Sequence, residues 1–93
     1  MIRGFANQQT KDVFEGRAPA GLHASVLGTA RRKLRQVAAA TSLNDLKVPP
    51  GNKLHALKAD RADQHAIWIN EKYRICFRWA KDGVHDVEIV DYH

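Results

Sequence analysis

Asp91, Tyr92 and His93 stand in immediate succession and offer a carboxylate, a phenol and an imidazole. Together they supply a base, a stacking surface and an acid, the parts that phosphodiester chemistry requires near neutral pH. Upstream, His55, Lys58 and Arg61 lie close together, and Arg74 and Arg78 follow on a stretch of alternating pattern. Arg74 and Arg78 fall on one face of that stretch but four residues apart, roughly 13 Å at strand rise, so they suit successive phosphates rather than one. Each residue also has an ordinary structural use. His55, flanked by Leu54 and Ala56, has the setting of a hydrogen-bonded histidine beside a core, the two arginines that of a solvated outer sheet face, and His93 that of a frayed end.

His55, His93 and Asp91 are competent metal ligands in type, yet no HxH, HExxH or CxxC spacing occurs, and Lys58 and Arg74 would oppose a divalent cation. No metal and no cofactor is expected. Cys76 is alone in the chain, so no internal disulfide forms, and in mid-strand it reads as an inert packing residue rather than a nucleophile. No glycine-rich phosphate loop is present.

The elements that must position these groups change character along the chain. Residues 2–5 read as a short strand, and residues 10–14 as a short helix stopped by Gly16 and Pro19. Over residues 25–40, Leu27, Ala30, Leu34, Val37 and Thr41 recur at helical spacing, with Arg31, Arg32 and Arg35 on the adjoining face. A helical turn over residues 43–46 ends before Val48-Pro49-Pro50-Gly51, which suits neither helix nor central strand. Beyond that loop the period becomes two. Tyr73, Ile75, Phe77 and Trp79 mark a core face and Arg74, Cys76 and Arg78 the other. Lys81-Asp82-Gly83 is a turn, after which Val87 and Ile89 face the core with Asp86 and Glu88 opposite. Residues 66–69 form a further strand and residues 53–57 an additional one. The predicted fold is α+β, with N-terminal helices packed on a small, mainly antiparallel sheet.

At 93 residues and 44% hydrophobic content, the chain holds one modest core and therefore one domain, residues 1–93. The net charge of +5 is concentrated: residues 31–61 carry eight basic and two acidic side chains, and residues 62–93 carry four and six. The basic third spans two elements, which favours a polyanion partner over a merely solvated helix face. No apolar run approaches the ~20 residues of a membrane span, and residues 1–5 lack the core of a signal peptide, so a cytoplasmic setting is expected and no membrane partner.

The residues that concentrate this chemistry resemble a known family nearly end to end. Met1-Ile2-Arg3-Gly4-Phe5, the run from Pro50 to Lys58, His65-Ala66-Ile67-Trp68-Ile69-Asn70, Tyr73-Arg74-Ile75-Cys76-Phe77 and the run from Val87 to His93 are together similar to the HigB-type toxins of bacterial type II toxin–antitoxin systems, within the RelE-like superfamily. The resemblance implies a ribosome-dependent endoribonuclease that cuts messenger RNA in the ribosomal A site and is held inactive by a HigA-like antitoxin. It implies that His55, Lys58, Arg74, Asp91, Tyr92 and His93 are the catalytic set. Trp68, where many relatives carry a basic or small polar residue, and Tyr73, where many carry tryptophan, depart from the pattern at positions not read as catalytic.

The expected reaction is metal-independent attack of the RNA 2′-hydroxyl on its adjacent phosphate. Arg74 and Lys58 stabilise charge, His55 or Asp91 is the base, His93 the acid, and Tyr92 stacks on a base. Arg31, Arg32 and Arg35, with Arg61 and Arg78, are expected to contact RNA, the helix face gripping ribosomal RNA. DNA is expected to be reached only through the antitoxin. A non-enzymatic basic RNA-binding domain is the alternative, and it gives no reason for the Asp91-Tyr92-His93 ending.

Overall fold

The second half of the chain builds one antiparallel sheet and the first half covers one of its faces. A computed structural model describes residues 1–92; His93 lies outside the described residues. The strands are β1 (His55–Ala56), β2 (His65–Trp68), β3 (Tyr73–Ala80) and β4 (Gly83–Asp91), arranged β1-β2-β3-β4 with every neighbouring pair antiparallel. Two helices, α1 (Gln8–Phe14) and α2 (Ala24–Ala39), precede them. This is the α+β arrangement expected from the switch of period.

The helices begin where side chains satisfy their first amides. Asn7 accepts a hydrogen bond from the Thr10 amide at 2.9 Å, so α1 starts earlier than its apolar pattern predicts. Thr10 is buried instead of opening the helix, and its hydroxyl accepts from the Ile89 amide of β4 at 2.9 Å. His23 caps α2 through Nδ1, which accepts from the Ser25 amide at 3.1 Å. The buried stripe of α2 is Val26, Ala30, Leu34 and Val37; Leu27 is only partly buried, and Thr41 is exposed beyond the helix end. These residues meet Ile67, Ile75, Phe77, Val87 and Ile89 from the sheet, with Val13 and Leu46 completing the core. Tyr73 and Trp79, expected within it, pack only at its margin.

Residues 2–5 are not a strand. Ile2 and Phe5 make two isolated parallel bridges to Val84 and Val87, and these cover the outer edge of β4. Gly83 permits this: a Cβ there would lie 2.7 Å from the Met1 carbonyl oxygen, and its φ of +139° excludes most side chains. A bulge opposite residues 76–78, with Asp86 at φ 55°, lets Val84 and Val87 face the same core despite their odd spacing.

Between α2 and the sheet, the expected helical turn is a 3-10 turn, Leu43–Lys47, closed by reciprocal Ser42 and Asp45 contacts. A second, Pro50–Asn52, follows. Of the strand expected over residues 53–57 only His55–Ala56 pairs, because Lys53 adopts a left-handed conformation at φ 49°. Asn52 is fully buried and ties the segment down. Its Nδ2 donates to the Leu46 carbonyl (3.1 Å), the Val48 carbonyl (3.3 Å) and Gln36 Oε1 (3.2 Å), while Lys33 Nζ donates to its Oδ1. Among the described residues, no helix is long and apolar enough to cross a membrane.

Candidate active site on the open sheet face

The face of the sheet turned away from the helices could have been an ordinary solvated surface, and its centre is not. Ala66 and Cys76 are fully buried there, and Arg74 is 8% exposed. Register explains the grouping. His55, Ala66, Cys76 and Glu88 form one cross-strand row, and Trp68, Arg74 and Val90 form the next row on the same face. Among the described residues no helix covers these rows, so the side chains close over the backbone themselves.

Arg74 is the centre of that closure. Its guanidinium carbon lies 3.9 Å from the centroid of the Trp68 ring and 5.0 Å from that of Tyr92, close enough for cation–π attraction to both. One nitrogen, Nη1, donates to the Asn70 carbonyl and, at 3.1 Å, to the Tyr73 carbonyl. Asn70 in turn holds the β2–β3 turn, its Oδ1 accepting from the Lys72 and Tyr73 amides at 2.8 Å each. Two carbonyls and two rings thus fix the group, while Nε and Nη2 have no partner among the described residues.

His55 stands at the edge strand of the same face. Its Nδ1 is 2.8 Å from the Lys53 carbonyl oxygen, which has no proton to give, so Nδ1 carries a hydrogen and, in the neutral ring, the lone pair is on Nε2. Two strand spacings and one row separate it from Arg74, roughly 12 Å of backbone. Lys58 is exposed on the connection to β2, and its side chain makes no ion pair or hydrogen bond among the described residues. Tyr92 extends β4 by one backbone bond, its amide donating to the Lys72 carbonyl at 2.7 Å, and its hydroxyl lies 3.9 Å from Cys76 Sγ. Burial, with the neighbouring thiol, raises the Tyr92 pKa, so the group is a neutral phenol. Burial pushes the Cys76 thiol up as well, which leaves it a poor nucleophile, as its mid-strand position implied.

Other predicted residues sit elsewhere or are already engaged. Asp91 pairs in register with Tyr73, which places it on the face opposite Arg74, and it lies 3.8 Å from Lys72 Nζ. Arg61 bonds Glu88 at 3.1 Å and Gln64 at 2.9 Å, and Arg78 bonds Asp86 at 3.3 Å. Arg31 donates to the Val13 and Arg17 carbonyls at 2.9 and 3.2 Å, which fastens α1 to α2, whereas Arg32 and Arg35 are exposed. His93 lies outside the described residues. No group of three His, Cys, Asp or Glu is placed to hold a metal among the described residues.

The family described as the RelE-like toxin of type II toxin–antitoxin system HigB matches residues 3–93. The chain belongs to this HigB-like toxin family. It is similar to the toxin HigB-1 of Vibrio cholerae, with 40% identity over 53 residues, which is 57% of this chain and 55% of that protein. An uncharacterized protein of Haemophilus influenzae is 30% identical over 56 residues, 60% of this chain and 55% of its own length. The aligned stretch thus spans about half the length of each curated relative.

Against that HigB-like background, two residues of the site went unread in the sequence. Trp68 stood there as a departure from the family pattern, and it is the ring on which Arg74 rests. Lys53 was not considered, yet its Nζ is 3.6 Å from the same ring and its carbonyl orients His55. The signal for Trp68 was available: two positions beyond Ala66 on β2, it must share a face with Arg74 once the strands pair as a hairpin.

Proposed function

We propose that this chain is the endoribonuclease toxin of a type II pair, cutting messenger RNA in the ribosomal A site by a metal-independent route and so halting translation. The observation that carries the reading is the fixed Arg74 guanidinium on the same sheet face as His55. RNA supplies the nucleophile. His55 Nε2 takes the proton of the 2′-hydroxyl, the oxygen bonds to the adjacent phosphorus, and the bond to the 5′-oxygen breaks as His93 protonates that oxygen. The products are a 2′,3′-cyclic phosphate and a 5′-hydroxyl.

Arg74 can set two N–H groups on the phosphorane and Lys58 adds a point charge, stabilisation that grows as negative charge develops. Tyr92 provides a stacking surface for a splayed base. Of the two candidate bases the reading takes His55, because its tautomer leaves a lone pair on the site face while Asp91 belongs to the other. Arg32 and Arg35 grip ribosomal RNA; Arg31, Arg61 and Arg78 contribute only by giving up their present partners. A HigA-like antitoxin silences the chain and makes any contact with DNA.

Inducible expression of the wild type and of Arg74→Ala, with growth followed and 5′ ends of messenger RNA mapped, tests the reading. Growth arrest and new in-frame ends from the wild type alone are the expected result. Two folded chains that cut nothing would overturn it in favour of a non-enzymatic RNA-binding domain.

A further inference from the structure

Several cations around the site are balanced: Arg61 by Glu88, Arg78 by Asp86 and Lys72 by Asp91. Lys58, Lys53 and Arg74 are not, since none of them makes an ion pair among the described residues. The last two are also close neighbours. Lys53 Nζ and Arg74 Cζ lie 3.6 and 3.9 Å from one ring centroid, so the two cations are at most about 7.5 Å apart, the sum of those distances. Like charges so placed repel, and what holds them is the negative π-face of Trp68. Lys53 is a non-glycine residue in left-handed conformation, a backbone cost retained where the surroundings impose it. The buried Asn52 network immediately before it does so.

We propose that Trp68 is a positioning residue that holds both Arg74 and Lys53 against its ring, and that Lys53 is a second phosphate-binding cation, taking the RNA phosphate adjacent to the scissile one. The inference rests on the ribonuclease reading. It assigns to this chain a paired cation that lacks only its counter-anion, which an RNA strand carries at each nucleotide. The same residue serves the site twice, because the Lys53 carbonyl orients His55 while its side chain meets RNA.

The test is cleavage of messenger RNA on programmed ribosomes, giving the rate at saturating toxin and the half-saturating concentration over a range of salt. Lys53→Asn keeps a residue that tolerates left-handed φ and keeps the carbonyl, but removes the charge. It is expected to raise the half-saturating concentration about tenfold, hold the saturated rate within threefold and flatten the salt dependence. Trp68→Leu is expected to lower the saturated rate about tenfold or more, through a displaced Arg74. Trp68→Phe, which retains a ring face, should restore it to within threefold. Wild-type behaviour of Lys53→Asn and Trp68→Leu beside an inactive Arg74→Ala overturns the inference and leaves the ribonuclease reading intact. Full activity of Arg74→Ala overturns the reading itself. Should Trp68→Leu fail to fold, Trp68→Phe decides: a loss of tenfold or more with Lys53→Asn unaffected refutes the paired cation.

Discussion

The basic residues of α2 and those of the open sheet face look alike as a count of charge and are used in opposite ways. On α2, Arg31 is occupied by the carbonyls of Val13 and Arg17, and Lys33 is buried against Asn52, so only Arg32 and Arg35 are left at the surface. On the sheet, Lys53 and Arg74 are set against an aromatic ring and leave their charge unneutralised. A helix one turn from its core can lend a long cation to a neighbouring loop, because the apolar stem packs while the head finds a carbonyl. On the sheet face Arg74 spends a single nitrogen on the carbonyls of the β2–β3 turn, and the rest of its head stacks on the rings that the adjacent strands present.

The comparison breaks most visibly at Arg74. Its replacement by alanine is expected to reduce the rate of RNA cleavage by about 10²–10³-fold, the usual cost of removing a preorganised donor from developing charge, as measured on programmed ribosomes. Arg74→Lys should recover only part of that, since an ammonium cannot make two parallel bonds to phosphate. The α2 cations should instead be read in stability. Lys33→Ala leaves Asn52 Oδ1 buried without a donor, and Arg31→Ala frees two carbonyls. Each is expected to cost about 1–3 kcal/mol in urea unfolding, and Arg31→Ala protein that remains folded keeps its cleavage rate. Smaller still, Arg32→Glu with Arg35→Glu should weaken co-sedimentation with ribosomes several-fold at low salt and make no difference at high salt. Unchanged co-sedimentation at low salt would remove α2 from the RNA surface.

Much of this architecture was legible because it depends on period. The change from helical spacing to alternation places α2 before the sheet, and the turn at Lys81-Asp82-Gly83 sets the β3–β4 hairpin. What period cannot convey is what lies over a face. Alternation marked Arg74 and Cys76 as outward, but only pairing with β2 brings Trp68 beside Arg74, and only the ending of β4 brings Tyr92 over Cys76. The bulge at Asp86 was likewise invisible, since Asp tolerates left-handed backbone without announcing it. Resemblance pointed to His55, Lys58 and Arg74 because those positions match the family motif. It passed over Trp68 for the same reason in reverse: a residue that departs from the motif has nothing there to match.

The weakest expected effect sharpens the comparison from the far side of the molecule. Asp45 lies just beyond α2 and carries the turn that leads to Asn52, and hence to Lys53 and His55. Its carboxylate accepts from the Thr41 amide at 2.9 Å, the Thr41 hydroxyl at 3.1 Å and the Ser42 amide at 3.2 Å. The amides of Thr41 and Ser42 hold its pKa below the ordinary value of 3.8. The unfolded chain therefore takes up a proton here before the folded one does. The contribution is complete above pH 3.8 and is lost as pH falls through the folded value. Asp45→Asn should consequently flatten the acid limb of stability below about pH 3.8, followed by thermal unfolding, and lower the midpoint slightly at neutral pH. The change is small because the group is exposed and the solvent screens it. A wild-type acid limb that the substitution leaves unaltered would mean that the turn is held by the Asn52 network alone, and that the frame behind the sheet cations begins at Lys33 rather than at Asp45.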